Sequence, residues 1–118
     1  MATRKSDEKD ACDLLDADHR AVKKLFNQYE ELTESRARNA KDQRAELARE
    51  ICTELTVHAQ IEEEIFYPAL REKIKDTSLL EEAEIEHSSA KVLIAQIEAA
   101  TDVDETFDAT VKVLGEYI

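Results

Sequence analysis

Residues 56–70 read TVHAQIEEEIFYPAL, and this stretch decides how the rest of the chain is interpreted. His58 and Glu62 are four residues apart, so in a helix their side chains lie on the same face. The apolar residues that continue this face with helical spacing are Ile51, Leu55, Ile65 and Ala69. A buried carboxylate is costly unless it is paired or bound to a metal. The sequence therefore predicts that a partner meets Glu62 inside the fold.

The composition indicates a single all-α domain that spans residues 1–118. The chain contains one glycine and one proline in 118 residues, which are too few for the turns that sheets require. Its length is sufficient for one hydrophobic core and too short for two. We therefore expect helices joined by short connections.

Hydrophobic periodicity predicts four amphipathic helices, at about residues 10–35, 41–71, 78–100 and 104–118. Their short connections predict an up-down-up-down four-helix bundle. Pro68 has no amide hydrogen, so we expect a kink near residues 64–67 or an early end of the second helix. The fourth helix has neither a C-terminal glycine nor a basic last turn, so we expect it to be shortened and cut off in mid-helix.

Charge and cysteine content restrict the partners and the compartment. The formal net charge of −12 makes nucleic acid and anionic membrane surfaces unsuitable partners. The N-terminus lacks the apolar run of a signal peptide, and no stretch approaches the length of a membrane span. Cys12 and Cys52 have no metal-ligand spacing and lie near apolar positions, so we expect buried, reduced thiols. These features predict a soluble cytoplasmic protein.

The three histidines of the chain, His19, His58 and His87, all fall on apolar helix faces. His19 and His58 lie equally far from the connection between the first two helices, so an antiparallel hairpin brings them level. His87 lies early in the third helix, near the same end of the bundle. We expect the three imidazoles and Glu62 to share one layer, where their donor atoms suit iron, zinc or manganese.

These motifs resemble those of the hemerythrin-like HHE cation-binding family. The resemblance rests on DADHRAV around His19, HAQIEEEIFYPAL from His58 onward and Glu-His at residues 86–87, and it covers nearly the whole chain. It implies a four-helix bundle with a non-haem di-iron centre near one end, with His19, His58 and His87 as imidazole ligands. Glu62 would be the carboxylate that bridges the two irons. The resemblance also implies binding of oxygen or a related small diatomic for sensing, storage or delivery.

The sequence departs from the family pattern on its third and fourth helices. Oxygen-carrying hemerythrins place a second histidine four residues from the one equivalent to His87, but Ala83 and Lys91 occupy those positions here. The chain therefore looks less like a dedicated oxygen carrier. Its fourth helix also lacks the histidine and carboxylate that the family supplies there, so the site is expected to be incomplete. We expect those ligands to follow Ile118, or a second copy of the chain to cover the open side as a homodimer.

Two other interpretations stay open at this point. A ferritin-like di-iron carboxylate oxidase needs a Glu-x-x-His motif on each of two helices, and Glu84 to His87 supplies one of them. A metal-free structural or interaction bundle predicts no change in melting temperature with iron or zinc. We favour a metal-binding module over an enzyme, with iron as the cofactor and zinc or manganese as substitutes. Tyr67 is expected to pack in the core, with a place in the lining of the pocket as the alternative.

Overall fold

The computed structural model describes the backbone of residues 2–118 and the side chains from Asp16 onward. Within these residues every regular element is helical, which confirms the all-α prediction. The elements are α1 (Ala2–Thr33), α2 (Ala40–Ile61), a π turn (Glu62–Phe66), α3 (Tyr67–Lys73), α4 (Ser78–Ala99) and α5 (Glu105–Glu116). Since α2, the π turn and α3 follow one another without a break, the chain forms four rods.

The four rods pack as the predicted up-down-up-down bundle. α1 and α4 each contact both α2 and α5, and short connections between successive rods make them antiparallel. α5 is the shortest rod, with 12 residues against 22 in α4, as predicted. Among the described residues, no helix has both the length and the apolar character that crossing a bilayer requires.

All four rods contribute to one continuous apolar core. Its buried members are Val22 and Tyr29 of α1, Ala48, Ile51, Cys52 and Leu55 of α2, Ile94 and Ile97 of α4, and Phe107, Val111 and Leu114 of α5. Within each rod these residues are spaced by one, three, four or seven positions, as expected for one face of a helix. Burial of this face stabilises helices that would be marginal in isolation.

Cys52 is a buried reduced thiol, as the sequence predicted. Burial, with a smaller contribution from the negative charge of Glu98, raises the pKa of this thiol to about 11. The thiol is therefore protonated near neutral pH, a state that is neither nucleophilic nor metal-binding. The side chain of Cys12 lies outside the described residues.

α1 begins at Ala2 rather than near residue 10, where the sequence placed its start. Residues 2–10 contain no glycine or proline and are rich in arginine, lysine and glutamate, which favour helix. They carry no apolar face, however, so hydrophobic periodicity gives no signal there. The helix therefore extends beyond the segment that periodicity identifies.

The irregularity expected near Pro68 is the π turn of residues 62–66. The amide of Tyr67 donates to the carbonyl of Glu62, five residues earlier, and Pro68 has no amide that could restore α-helical pairing. The wider turn shifts the buried face, so Tyr67 is 6% exposed whereas Ile65 is 60% exposed. The placement of Ile65 on the buried face was therefore wrong, because it assumed an uninterrupted α-helix.

A polar network joins α5 to α1 and α2. The hydroxyl of Tyr29 donates to Asp108 Oδ1 at 2.6 Å, and Arg44 Nη1 donates to Asp108 Oδ2 at 2.9 Å. Burial and the hydrogen bond to Asp108 raise the pKa of the Tyr29 hydroxyl far above its ordinary value, so it remains a donor. These contacts fix the first half of α5 against its neighbours.

We expect Tyr29→Phe to lower the free energy of unfolding by about 1–3 kcal/mol, because it removes a hydrogen bond to a charged acceptor. Urea denaturation of the apo protein measures this change. Tyr117→Phe is the control, since Tyr117 is 41% exposed, and its effect should stay within about 0.5 kcal/mol. Equal stabilities of the two variants would show that the Tyr29 contact does not anchor α5.

Candidate metal centre

A cavity of about 180 Å³ lies between the rods beside the π turn. It is lined by all four residues that the sequence singled out, His19 of α1, His58 of α2, Glu62 at the start of the π turn and His87 of α4. The structure thus places the four side chains at the common level that the sequence predicted. Their role as metal ligands remains a prediction.

Three of these residues form a compact group. One potential ligand atom from each of His19, His58 and Glu62 lies within 4.8 Å of the other two. The imidazole rings of His19 and His58 have centroids 4.5 Å apart. His58 is 5% exposed, and the side chain of Glu62 is 13% exposed. Two imidazoles and a carboxylate therefore meet at one place, where His58 is buried and His19 and Glu62 are partly buried.

Both ring nitrogens of His58 are buried and lack a hydrogen bond of normal geometry. Nε2 lies 2.6 Å from Glu62 Oε1, but its direction does not have hydrogen-bond geometry. Nδ1 lies 3.9 Å from Asp18 Oδ2, which is too far for a hydrogen bond. Buried polar atoms without partners are rare, and a bound ion is one explanation for them. The residues present therefore fit a cation held between His58 and Glu62.

The second oxygen of Glu62 faces a different set of groups. The hydroxyl of Tyr67 donates to Glu62 Oε2 at 2.7 Å, and the same hydroxyl lies 3.2 Å from His87 Nε2. His87 Nε2 is itself 3.6 Å from Glu62 Oε2. The carboxylate of Glu62 thus separates the pair His19 and His58 from His87, which lies outside the compact group.

The acid and base groups of the cavity shift one another's pKa. Burial opposes ionisation of Glu62, but its contacts with His58, His87 and Tyr67 outweigh burial and hold the pKa of this carboxyl well below its ordinary value. Burial, together with the neighbouring His58, lowers the pKa of His19. The contact with the carboxylate of Glu62 raises the pKa of His87 despite its burial. Near neutral pH the site therefore offers an anionic carboxylate and a neutral imidazole at His19, the forms that bind metals.

Two ion pairs join the π turn and α3 to α4 on the side of His87. Lys91 Nζ lies 2.6 Å from Glu63 Oε1, and Arg71 pairs with Glu84. Each pair joins α4 to the other rod, and both are partly exposed. Glu84 faces Arg71 and does not line the cavity, so it does not provide the carboxylate that a ferritin-like Glu-x-x-His motif would need beside His87.

The residues after α5 also reach the cavity. Tyr117 and Ile118 line it together with His87. Neither residue is an imidazole or a carboxylate. The protein ligands available in the described part of the cavity are therefore those of α1, α2, the π turn and α4.

Sequence reasoning missed the contact between Tyr67 and Glu62, although it placed Tyr67 correctly in the interior. In an α-helix, residues five apart point about 140° away from each other. The signal that could have revealed the contact is Pro68, because a proline inside a helix favours a local irregularity. The sequence does not specify that this irregularity is a π turn.

A helical bundle with imidazole and carboxylate side chains around an interior cavity is typical of cation-binding bundle proteins. The chain belongs to the hemerythrin family, since the family model described as Hemerythrin HHE cation binding domain matches residues 10–118. This match confirms the resemblance inferred from the motifs and assigns metal-cation binding to the domain. Comparisons with curated proteins and with solved structures found no match.

Proposed function

We propose that the protein binds a metal cation through His19, His58 and Glu62. The observation that carries this proposal is the buried His58 imidazole, whose two nitrogens lack hydrogen bonds although Nε2 lies 2.6 Å from a carboxylate oxygen. A cation between the nitrogen and the oxygen would satisfy both atoms and would compensate the cost of burying Glu62. The membership of the chain in a cation-binding family supports the same assignment.

We propose His87 as a further ligand on the opposite side of Glu62. A carboxylate has about four lone-pair sites, so Oε2 can accept the hydrogen bond of Tyr67 and still bind an ion. Glu62 Oε2 lies 3.6 Å from His87 Nε2, a distance that is suitable for two atoms that bind one cation. A carboxylate with one oxygen on each side could bridge two ions, and this arrangement supports a di-iron centre.

We propose non-haem iron as the natural cofactor, with zinc and manganese as substitutes in vitro. Imidazole and carboxylate ligands suit all three metals. Iron, when bound with an open coordination position, supplies binding of oxygen or a related small diatomic. The chain itself would hold the ion with two imidazoles and one carboxylate, and the burial of His58 and Glu62 would limit the access of water to it.

The proposed role is a binding module for sensing, storage or delivery rather than an enzyme. The ferritin-like alternative is disfavoured by the position of Glu84, which pairs with Arg71 outside the cavity. We place the module in the cytoplasm, because the buried Cys52 is a free thiol and a reducing compartment preserves it. The homodimer stays a prediction that sedimentation of the metal-loaded protein tests.

We expect zinc to raise the melting temperature of the apo protein by an amount that grows with metal concentration, because the folded state alone assembles the site. Iron(II) added without oxygen should act in the same way, and admission of oxygen should then change the visible spectrum. Elemental analysis after dialysis measures the ions retained per chain. A protein that retains no metal and melts at a constant temperature would contradict the proposal.

A further inference from the structure

The contact between Tyr67 and Glu62 is not explained by apolar packing. Tyr67 is 6% exposed, and its hydroxyl donates to Glu62 Oε2 at 2.7 Å. A buried hydroxyl needs a partner, but a core position can be filled by phenylalanine without any partner. The hydroxyl instead contacts the one carboxylate in the compact group of potential ligands.

The π turn creates this contact. In a regular α-helix a residue five positions after Glu62 would point about 140° away from it. Here the amide of Tyr67 pairs with the carbonyl of Glu62, which stacks the two residues on one face. π turns inside α-helices occur frequently at functional sites. The irregular turn therefore has a local effect, which is to bring a phenolic donor to the carboxylate.

The hydroxyl also reaches the fourth residue of the candidate site. It lies 3.2 Å from His87 Nε2, and the rings of Tyr67 and His87 have centroids 5.5 Å apart. Tyr67 thus links the carboxylate at the start of the π turn to the imidazole on α4. Tyr29, by contrast, donates to Asp108 away from this cavity.

We infer that Tyr67 is a positioning residue of the metal centre, whose hydroxyl holds Glu62 with Oε1 turned toward His58. This inference rests on the proposed metal binding by His19, His58 and Glu62. With Oε2 fixed by the hydrogen bond, the carboxylate is oriented before the ion arrives. An oriented ligand loses less conformational freedom on binding, and partners of this kind typically change metal affinity by about 10–100-fold.

The test is the zinc affinity of Tyr67→Phe, measured by competition with a chromophoric chelator. Phenylalanine keeps the ring and removes only the hydroxyl, so we expect the affinity to fall about 10–100-fold. The visible spectrum of the cobalt(II) form should change as well, because the carboxylate ligand is no longer held in one orientation. A purely structural contribution of Tyr67 would leave this spectrum unaltered.

The matched control is Tyr29→Phe, which also removes a tyrosine-to-carboxylate hydrogen bond, of 2.6 Å, but away from the cavity. It should lower the stability of the apo protein and leave the zinc affinity and the cobalt spectrum unchanged. Cooperative melting of each apo variant verifies its fold. Equal losses of zinc affinity in the two variants would contradict a positioning role for Tyr67.

The outcomes separate the positioning role from the metal binding on which it rests. A wild-type protein that binds no zinc contradicts the proposed function. A wild-type protein that binds zinc, together with a Tyr67→Phe variant of the same or higher affinity, overturns the positioning role alone. A phenolate signal in the near-ultraviolet difference spectrum on zinc binding would also overturn it, because Tyr67 would then be a ligand. This spectrum is measured with the Tyr117→Phe variant, since Tyr117 lines the same cavity and could give the same signal.

Discussion

Replacing His58 with alanine is expected to abolish the stabilisation that zinc or iron(II) gives to the protein. The wild-type protein should gain about 2.7 kcal/mol at a metal concentration of about a hundred times the dissociation constant. His58 contributes the buried imidazole of the compact group of potential ligands. The measurement is the dependence of the melting temperature on metal concentration. The His58→Ala substitution also loses packing contacts, which lowers the melting temperature of the variant both with and without metal. This loss cancels when the metal-dependent shift of the variant is compared with that of the wild-type protein.

A pair of isosteric variants sharpens this expectation. Glu62→Gln preserves the shape of the side chain and removes the charge, so it should reduce the metal-dependent shift almost as strongly as His58→Ala. Glu64→Gln makes the same chemical change two residues away, where the side chain is exposed. It should leave the shift intact. A full shift in both His58→Ala and Glu62→Gln would place the metal elsewhere in the protein.

Leu114→Ala is expected to destabilise the protein by about 2–5 kcal/mol, because it leaves a cavity in the core. Leu114 is 0% exposed and lies in the buried cluster to which all four rods contribute. Urea denaturation measures this loss of free energy, when the dependence of the free energy of unfolding on urea concentration is the same in the variant and the wild-type protein. The effect is independent of metal, so the loss should be the same in the apo protein and in the zinc-loaded protein.

The neighbouring residue provides the control for Leu114→Ala. Val113 is 41% exposed, so Val113→Ala should change the free energy of unfolding by no more than about 0.5 kcal/mol. Both substitutions lie in the same turn of α5 and alter helix propensity only slightly. Equal losses would show that α5 does not pack against the core through the face described above.

The core of the bundle was predictable from the sequence because it depends on periodicity. Burial of Ile94 and Ile97 on α4, and of Val111 and Leu114 on α5, follows from apolar residues repeated every three or four positions. The same reasoning brought the histidines to one level, because residues equally far from a helical hairpin connection lie side by side. The lengths and directions of the helices were therefore sufficient to predict which histidines lie at the same level.

The rest of the site depends on a local irregularity that periodicity cannot describe. Helical spacing of three and four residues predicted that Ile65 lies on the buried face, whereas the π turn exposes Ile65 and buries Tyr67 instead. The sequence indicated some departure from α-helix through Pro68, but a proline inside a helix does not by itself distinguish a kink, a helix end and a π turn. The hydrogen bond from Tyr67 to Glu62 follows from that choice. The start of α1 was not predicted for a different reason. Its first residues are polar, so they give no hydrophobic periodicity.

The most direct test of the metal centre is anomalous diffraction from crystals of the zinc-loaded protein. We expect a peak in the cavity beside the π turn, at about 2.0–2.2 Å from a nitrogen of His19, a nitrogen of His58 and an oxygen of Glu62. Data collected on both sides of the zinc absorption edge identify the element. A zinc ion bound only to acidic side chains on the surface, with the three cavity residues free of metal, would contradict the assignment.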